Sequence, residues 1–207
     1  MSEGRTLRRA FAVLRRDGAG AFAYKLASEL GFRRVLLLAR PLDEPIADVA
    51  PTLPVEFAAL GERELDDYVA LRPDADRARV AAQFASGWTC HVLRHEGRIV
   101  SACWSIASSY RTSYLECEMP AVDGGAYLAD AWTDERYRGH SLAHVLCLGQ
   151  LRELRARGFR IALRGTVPEN RSALRAHRKS GFRPVALLGR LRVGPWRRYF
   201  RREWRDA

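Results

Sequence analysis

The chain has 207 residues, enough for one well-packed domain with an appendage but too few for two domains of ordinary size. Its hydrophobic fraction of 47% is typical of a globular protein. The net charge is +11, and arginine supplies nearly all of the positive charge, because Lys25 and Lys179 are the only lysines. The arginines are spread along the chain and not clustered, so a general compositional bias explains the charge more simply than a nucleic-acid or lipid surface does.

The cysteines and the apolar runs indicate the cellular compartment of the protein. The four cysteines, at positions 90, 103, 117 and 147, form no Cys-x-x-Cys pair, and three of them lie in apolar, strand-like runs. This pattern predicts buried free thiols in a reducing cytoplasm, and neither a disulfide framework nor a zinc site. We expect no metal. The first residues lack the features of a secretory leader, and the longest apolar run, 35–39, is far too short to span a bilayer.

The first fifty residues predict a helix–helix–strand extension packed on the main domain. Residues 5–16 form a short amphipathic helix pattern with three apolar side chains on one side, Leu7, Phe11 and Leu14, and arginines around them. A second helix is predicted over 21–30 and a strand over 32–42. The apolar side of the first helix either covers the main domain or lies on an anionic membrane, so weak peripheral membrane contact stays open.

The remaining chain predicts a main domain over 51–195 and a basic tail over 196–207. Three prolines between residues 43 and 54 indicate the connection to this domain. Helices are predicted over 61–71 and 74–86. Strands are predicted over 55–60, 89–94, 98–108, 110–119, 127–133, 159–167 and 182–193, with a hairpin turn at Glu96-Gly97. This order of elements is that of an α+β domain.

The most informative stretch is a strand followed by a basic turn and a helix. Residues 127–133 have the aromatic and apolar content of a buried strand, and residues 136–139 form a basic turn that contains one glycine. From His140 onward, apolar residues recur at helical spacing up to Gly158. Free backbone N–H groups and the positive end of a helix then meet at one place. Such a place suits a phosphate or a pyrophosphate.

Two motifs carry a resemblance to a known family. Arg138-Gly-His-Ser-Leu-Ala143 resembles the pyrophosphate loop, Gln/Arg-x-x-Gly-x-Gly/Ala, of the GNAT superfamily of N-acetyltransferases, except that Ser141 stands at a glycine. Residues 170–182 resemble the second signature of the superfamily, with His177 at its usual tyrosine; the matching residues are Asn170, Lys179, Gly181 and Phe182. The resemblance covers residues 55–193. It implies a mixed, mostly antiparallel central sheet that is flanked by helices and splayed between its fourth and fifth strands, here 127–133 and 160–167, with an N-terminal helical extension.

The resemblance also implies a binding site for acetyl-CoA or another acyl-CoA. Backbone groups of three residues would hold the pantetheine arm: Ala131, Trp132 and Thr133. The loop would hold the pyrophosphate through Arg138, Gly139, His140, Ser141, Leu142 and Ala143, with Asn170 as a further cofactor residue. We expect the loop to tolerate Ser141, because Gly139 and Ala143 keep it small.

The chemistry needs a base for the amine and a proton donor for the leaving thiolate. Asp130, inside the strand beside the expected thioester, is the candidate base. His177 is the candidate donor, and the alternative is a packed histidine without a chemical role. Glu116 and Glu118 share one face of the predicted strand 110–119, where they either contact the substrate or are simply solvated.

Two functions follow from the sequence. The first is an acyl-CoA-dependent N-acyltransferase that transfers acetyl to a primary amine of a small molecule or an amino sugar, by direct attack in a ternary complex. The second is a basic interaction module on a catalytically decayed scaffold, with Ser141 and His177 as marks of decay, that binds nucleic acid or anionic lipid. For the first we expect a monomer or homodimer with no specific nucleic-acid partner.

Overall fold

The computed structural model describes residues 19–72 and 74–204. The helix predicted over 5–16 lies outside these residues. Within them the α-helices are α1 (Ala19–Glu29), α2 (Leu65–Leu71), α3 (Arg77–Ala85), α4 (Leu142–Ala156) and α5 (Arg171–Lys179). The strands are β1 (Phe32–Pro41), β2 (Glu56–Ala59), β3 (Thr89–His95), β4 (Arg98–Ile106), β5 (Tyr110–Thr112), β6 (Cys117–Met119), β7 (Gly125–Thr133), β8 (Ile161–Thr166), β9 (Arg183–Val193) and β10 (Trp196–Glu203).

Eight of these strands form one sheet in the order β10-β9-β1-β8-β7-β4-β3-β2. Every neighbouring pair is antiparallel except β7 and β8, which are parallel. Helix α4 covers one face, and its apolar side chains Leu146, Leu151 and Leu154 join the largest buried cluster. Helix α2 packs on β4 and contributes Tyr68, whose hydroxyl accepts a hydrogen bond from Trp104 Nε1 at 2.9 Å. The predicted α+β architecture with a mostly antiparallel sheet is confirmed.

The parallel pair opens soon after it begins. Strands β7 and β8 are paired only from Gly125↔Ile161 to Tyr127↔Leu163. Beyond this point β7 continues along β4 up to Thr133, whereas β8 continues along β1 up to Thr166. Since each strand keeps its other neighbour, the two separate without losing their outer hydrogen bonds. The predicted splay between these two strands is thereby confirmed.

Strand β1 lies inside this sheet, between β8 and β9. Its register with β8 runs from Leu36↔Thr166 to Pro41↔Ile161, and on its other side it pairs with β9. Three consecutive apolar residues of β1 are buried, Leu37, Leu38 and Ala39. The sequence assigned this strand to an extension packed on the main domain, but it is hydrogen-bonded into the middle of the sheet. The division of the chain at residues 50 and 195 stays a prediction.

Two segments differ from the sequence-based prediction. The predicted strand over 110–119 is a separate hairpin of β5 and β6, because the chain turns between them at Glu116, which has a φ of +57°. The predicted basic tail begins with β10, which pairs with β9 from Trp196↔Val193 to Glu203↔Ala186. All eight residues of β10 are exposed. The strand therefore lacks the alternation of buried and exposed positions by which a strand is recognised from its sequence. The sheet therefore continues beyond the predicted strand over 182–193.

Candidate functional site

A bulge in β7 shapes the wall of the opening between β7 and β8. Ala129 pairs with Trp104 and Trp132 with Ala102, so two residues of β7, Asp130 and Ala131, lie opposite the single residue Cys103. Asp130 has a φ of +53°, in the left-handed region that non-glycine residues rarely adopt. A bulge of this kind bends the strand and turns main-chain groups away from the ladder. It lies where the two strands have already separated.

Main-chain groups after the bulge point into the opening. The Ser101 hydroxyl donates to the Trp132 carbonyl at 3.0 Å, and the Asp134 amide donates to the Val100 carbonyl at 3.0 Å. The main-chain groups of Trp132 and Asp134 therefore face β4. Because consecutive residues of a strand direct their N–H and C=O groups to opposite sides, Ala131 and Thr133 face the opening. Of the three residues expected to hold pantetheine, two thus present backbone groups there, and the backbone of Trp132 faces β4.

The predicted phosphate loop leads from this strand into α4. A short 3₁₀ turn, Glu135–Tyr137, follows β7, and α4 begins at Leu142 with Ser141 as its N-cap residue. Gly139 and Ser141 have φ values of +91° and +59°, so the loop is tightly wound. Within the described part of the chain, the backbone amides of residues 139–143 have no protein acceptor. They are available to an anion at the positive end of the helix dipole.

The conformation of Ser141 explains why the related loop pattern has glycine at this position. A left-handed backbone brings the Cβ of an ordinary residue close to the following carbonyl, at a cost of about 1–2 kcal/mol. The Ser141 side chain makes no capping hydrogen bond that offsets this cost. The serine is thus accommodated in the glycine conformation. Its neighbour His140 is held by Thr52, whose hydroxyl lies 3.1 Å from His140 Nδ1.

Two arginines, Arg136 and Arg138, lie in the loop that follows β7. Arg138 Nη1 lies 2.9 Å from Glu135 Oε1, and its guanidinium is 5.9 Å from the centre of the Trp132 ring. Arg136, which sequence reasoning did not select, lies 2.7 Å from Asp134 Oδ2. The hydrogen bond from Arg136 lowers the pKa of Asp134. Both guanidinium groups are mostly exposed, so they are accessible to a phosphorylated ligand.

A cavity of about 860 Å³ adjoins the opening. Its walls come from β1, β7, β8, α3 and the β5–β6 hairpin, and its polar and charged side chains include Arg79, Gln83, Tyr110, Arg111, Tyr114, Glu118, Asp130, Thr166 and Asn170. Three predicted site residues, Glu118, Asp130 and Asn170, thus line one cavity. The volume is within the range of small-molecule sites.

Asp130 is paired with a residue that the sequence analysis missed. Arg72, just after α2, places Nη1 2.5 Å from Asp130 Oδ1 and Nε 3.2 Å from Asp74 Oδ1. Its guanidinium also lies 5.1 Å from the centre of the Trp132 ring. Burial lowers the pKa of Arg72, but the ion pair with Asp130 outweighs this and raises it overall. Asp130 therefore has a permanent cation beside it, which chain folding brings from 58 residues away.

Glu116 and Glu118 do not share a strand face. Glu116 lies in the turn between β5 and β6, and its Oε2 is 2.5 Å from Nη1 of the buried Arg190. The hydrogen bond with Arg190 lowers the pKa of Glu116, and Arg192 and Arg197 lower it further. Glu118 lies on β6 and lines the cavity. Only Glu118 is therefore placed to contact a substrate, and Glu116 fastens the hairpin to the sheet.

His177 and Asn170 lie at the two ends of α5. The His177 ring is 6.2 Å from the Phe182 ring, and it does not belong to the cavity wall. Burial, together with the nearby Arg164 guanidinium, lowers the pKa of His177 to about 3. The imidazole is therefore neutral near pH 7, as in a packed histidine. Asn170 caps α5 by accepting a hydrogen bond from the Ala173 amide at 3.1 Å, and its side chain also reaches the cavity.

The comparison with protein families decides the assignment. The profile of the Acetyltransferase (GNAT) family matches residues 57–182. The chain belongs to this family. The match extends from β2 to the end of the second signature and includes the bulge, the loop, α4 and α5. A comparison with curated protein sequences finds no match.

Solved structures of GNAT proteins share the fold. A putative GNAT acetyltransferase from Novosphingobium aromaticivorans is 23% identical with a TM-score of 0.54, over 77% of this chain and 65% of that chain. An N-acetyltransferase of the same family from Sphaerobacter thermophilus is 20% identical with a TM-score of 0.54, over 88% of this chain and 56% of that chain. The chain thus spans less than two thirds of the length of these two proteins. The ribosomal-protein-S18-alanine N-acetyltransferase from Escherichia coli is 15% identical with a TM-score of 0.51, over 63% of this chain and 78% of that chain.

The described residues of this GNAT chain hold no metal-binding cluster and no membrane-spanning helix. No group of three or more His, Cys, Asp or Glu side chains among them is arranged to hold a metal ion. None of the helices within residues 19–204 combines the length and the apolar character that a membrane crossing requires. The four cysteines are free thiols, and three are buried: Cys90, Cys103 and Cys147.

Proposed function

We propose that the protein is an acyl-CoA-dependent N-acetyltransferase that transfers acetyl from acetyl-CoA to a primary amine of a small molecule or amino sugar. One observation carries this proposal. The opening between β7 and β8 has unpaired amides at the start of α4 on one side and adjoins an 860 Å³ cavity on the other. A cofactor held by the loop would therefore present its thioester to an acceptor in the cavity. This arrangement supports direct attack in a ternary complex.

Each part of the site has a proposed task. The amides of residues 139–143 and the Arg138 side chain bind the pyrophosphate. Hydrogen bonds to its charged oxygens are stronger than hydrogen bonds between neutral groups. The main-chain groups of Ala131 and Thr133 hold the pantetheine arm and the thioester in the opening. The Ala131 amide, turned out by the bulge, is available to stabilise the oxyanion that forms at the thioester carbon.

Two carboxylates of the cavity are the proposed contacts of an acceptor that arrives as an ammonium ion, although Arg79 and Arg111 also line the cavity. Asp130 and Glu118 both line the cavity, and Glu118 forms no ion pair with the described residues. We assign to Asp130 the binding of the ammonium group and the removal of its proton through water. Glu118 holds a second polar or cationic group of the acceptor. The His177 ring lies outside the cavity wall. Its role as proton donor to the thiolate stays a prediction.

Binding of acetyl-CoA tests the proposal. A ligand that binds only the native state stabilises it by about 2.7 kcal/mol at 100 times its Kd, so acetyl-CoA should raise Tm. The double variant Arg138→Ala/His140→Asp removes a cation and adds a negative charge beside the pyrophosphate. We expect its acetyl-CoA affinity, measured by calorimetry, to fall at least about tenfold, since a charged hydrogen bond contributes about 1.5–3 kcal/mol.

The control for this experiment is Arg63→Ala, an exposed arginine after β2 near the opposite end of the sheet. It should bind acetyl-CoA like the wild type. An unchanged Kd in the double variant would contradict the placement of the cofactor. Mass spectrometry of reactions with a panel of amines and amino sugars then tests the acceptor class. A cofactor-binding protein that acetylates none of them would contradict the small-molecule assignment.

A further inference from the structure

Among the described residues, the most exposed large apolar side chains lie at the end of α1 and at the β9–β10 turn. Nine large hydrophobic side chains are exposed among the described residues, and four of them have more than half of their surface in water: Leu26 (53%), Leu30 (81%), Val193 (62%) and Trp196 (52%). We call these four side chains the apolar tip. Scattered single apolar residues are normal on a surface, but a group of the most exposed ones indicates an interaction site.

Backbone contacts bring the members of the tip together. Leu26 and Leu30 lie one helical turn apart, and the Leu30 amide donates to the Leu26 carbonyl at 3.1 Å. The next residue, Gly31, accepts a hydrogen bond from the Arg192 amide at 3.1 Å, so the end of α1 adjoins the end of β9. Val193 pairs directly with Trp196 across the β9–β10 turn. The tip therefore lies where the end of α1 and the β9–β10 turn adjoin.

Arginines surround the apolar tip. Arg192 and Arg197 flank the β9–β10 turn, with about half of each side chain exposed. Arg198 is exposed and lies opposite Leu191, on the sheet face shared by Val193 and Trp196. The acids nearby are Glu29, which is exposed at the end of α1, and Glu116, which lies 4.0 Å from Arg192 and 3.8 Å from Arg197. Positive charge thus predominates around an apolar centre.

We propose that the apolar tip and its arginines form a docking surface for an anionic lipid membrane. Aliphatic side chains that protrude into water gain free energy by entering the region between head groups and acyl chains. The indole of Trp196 suits the membrane–water interface, where tryptophan is enriched. Each arginine near an anionic leaflet adds further attraction. This surface is separate from the proposed acyl transfer and does not depend on it.

Other occupants fit these observations less well. A nucleic acid would satisfy the arginines but has no apolar counterpart for Leu26, Leu30 and Val193. A second copy of the chain would place arginine against arginine across a symmetric contact, and four side chains provide little of the area that a stable dimer buries. The sequence before α1 carries five arginines between residues 5 and 16. It would therefore repel the arginines of the tip, whereas an anionic membrane attracts both.

Flotation with lipid vesicles tests the proposal on the full chain. One set of vesicles contains phosphatidylcholine alone, and in the other about a third of the lipid is phosphatidylglycerol, a typical anionic lipid. We expect the wild type to float with the anionic vesicles and not with the neutral ones. The double variant Leu30→Asp/Val193→Asp should reduce partitioning at least about tenfold, since it removes apolar contact and adds negative charge.

Matched controls separate the tip from a general charge effect. Ala81→Asp/Ala82→Asp adds the same charge at exposed positions of α3, and it should partition within about twofold of the wild type, because distant charges are largely screened. Arg198→Glu should weaken partitioning about tenfold, whereas Arg63→Glu, near the other end of the sheet, should have little effect. Circular dichroism and Tm verify that each variant is folded.

Four outcomes would overturn the proposal. The first is equal partitioning to both kinds of vesicle, or no effect of the Leu30→Asp/Val193→Asp substitutions. The second is tight binding of a single-stranded oligonucleotide that these substitutions abolish while no vesicle retains the protein. The third is a dimer in light scattering that the same substitutions dissociate, without vesicle binding. The fourth is vesicle binding that Leu7→Asp/Phe11→Asp abolishes while Leu30→Asp/Val193→Asp leaves it unchanged, which would place the membrane contact in the N-terminal segment.

Discussion

Asp130 combines three properties that few residues of this chain share. It lies in the bulge of β7, it lines the cavity, and its carboxylate is paired with Arg72 at 2.5 Å. The φ of +53° is a strained conformation for aspartate, and strain of this kind persists where the surrounding structure fixes it. The carboxylate is therefore held in one orientation beside the point at which the two strands separate. This supports its assignment as the group that binds and deprotonates the acceptor.

The substitution Asp130→Asn tests this role. If Asp130 accepts the amine proton, the substitution should lower kcat by roughly 10²-fold, because a general base contributes about that much. Acetyl-CoA affinity should stay unchanged. The matched control is Asp74→Asn, which removes the other acid beside Arg72 without touching the cavity. A higher KM with unchanged kcat in Asp130→Asn would show instead that the carboxylate only anchors the acceptor.

His177 illustrates how burial determines the state of a titratable group. Its pKa is lowered to about 3 from the ordinary value of 6.5, first by burial and then by Arg164. Below pH 6.5, His177 therefore binds a proton in the unfolded chain but not in the folded chain. The contribution to stability is complete above pH 6.5 and is lost progressively as the pH falls toward 3.

This sign gives a measurable expectation. The free energy of unfolding of the wild type should fall more steeply on acidification than that of His177→Phe, by about 1.4 kcal/mol per pH unit between pH 6.5 and 3. Urea titrations at a series of pH values measure the difference, and the shared carboxylates cancel in it. Parallel curves would contradict a partly buried, neutral imidazole. The kcat of His177→Phe at pH 7 tests the donor role separately, since a packed histidine leaves kcat unaffected.

At the scale of elements, the β5–β6 hairpin forms part of the cavity wall although it lies outside the main sheet. Glu116 fastens it to the sheet through the ion pair with the buried Arg190. The Glu116 carbonyl accepts hydrogen bonds from Tyr199 Oη at 3.1 Å and from Arg111 Nη2 at 2.9 Å. One turn residue thus links the hairpin with β9 and β10. The hairpin in turn brings Glu118 to the cavity.

Two substitutions, two residues apart, should separate these roles. Glu116→Gln leaves the buried Arg190 without its counter-ion, so Tm should fall by several degrees, as is usual when a buried charge loses its partner. Glu118→Gln should leave Tm within a degree or so, because its side chain forms no ion pair with the described residues, as is usual for a surface substitution. It should instead raise the KM for the acceptor. Equal changes in Tm would contradict this division of labour, which calorimetry and steady-state kinetics measure.

The sequence predicted best those elements whose signals are local. The strand, loop and helix around residues 127–157 were predicted within a few residues, because apolar periodicity and glycines mark their limits. The predictions for β10 and for the β5–β6 hairpin were wrong. Strand β10 has no buried face that alternates along the chain, and each strand of the hairpin has only three residues. Arg72 could not be found at all. Its partner Asp130 is distant in sequence, and only the packing of α2 against β4 brings the two together.

At the scale of the whole molecule, β1 connects the two sides of the sheet. It is the only strand of the described chain that pairs with both β8 and β9, so β9 and β10 join the cofactor-binding half through it. Its side chains Leu37 and Leu38 are buried on opposite faces, in two different clusters. The family match begins at residue 57 and does not include this strand. A central element of this sheet therefore lies outside the matched region.

A fragment of residues 43–207, which retains the whole family match but lacks β1, should fail to fold. It loses three buried leucines, Leu37, Leu38 and Leu42, and burial of each contributes about 1.5–3 kcal/mol. The sum of roughly 5–9 kcal/mol is comparable with the total stability of a typical domain, about 5–15 kcal/mol. It also leaves the facing edges of β8 and β9 without hydrogen-bond partners. The control fragment, residues 19–204, keeps every described element and should unfold cooperatively in a thermal scan with acetyl-CoA still bound. A cooperative transition in the fragment of residues 43–207, with acetyl-CoA affinity near that of the control, would show that residues 51–195 form an autonomous domain after all.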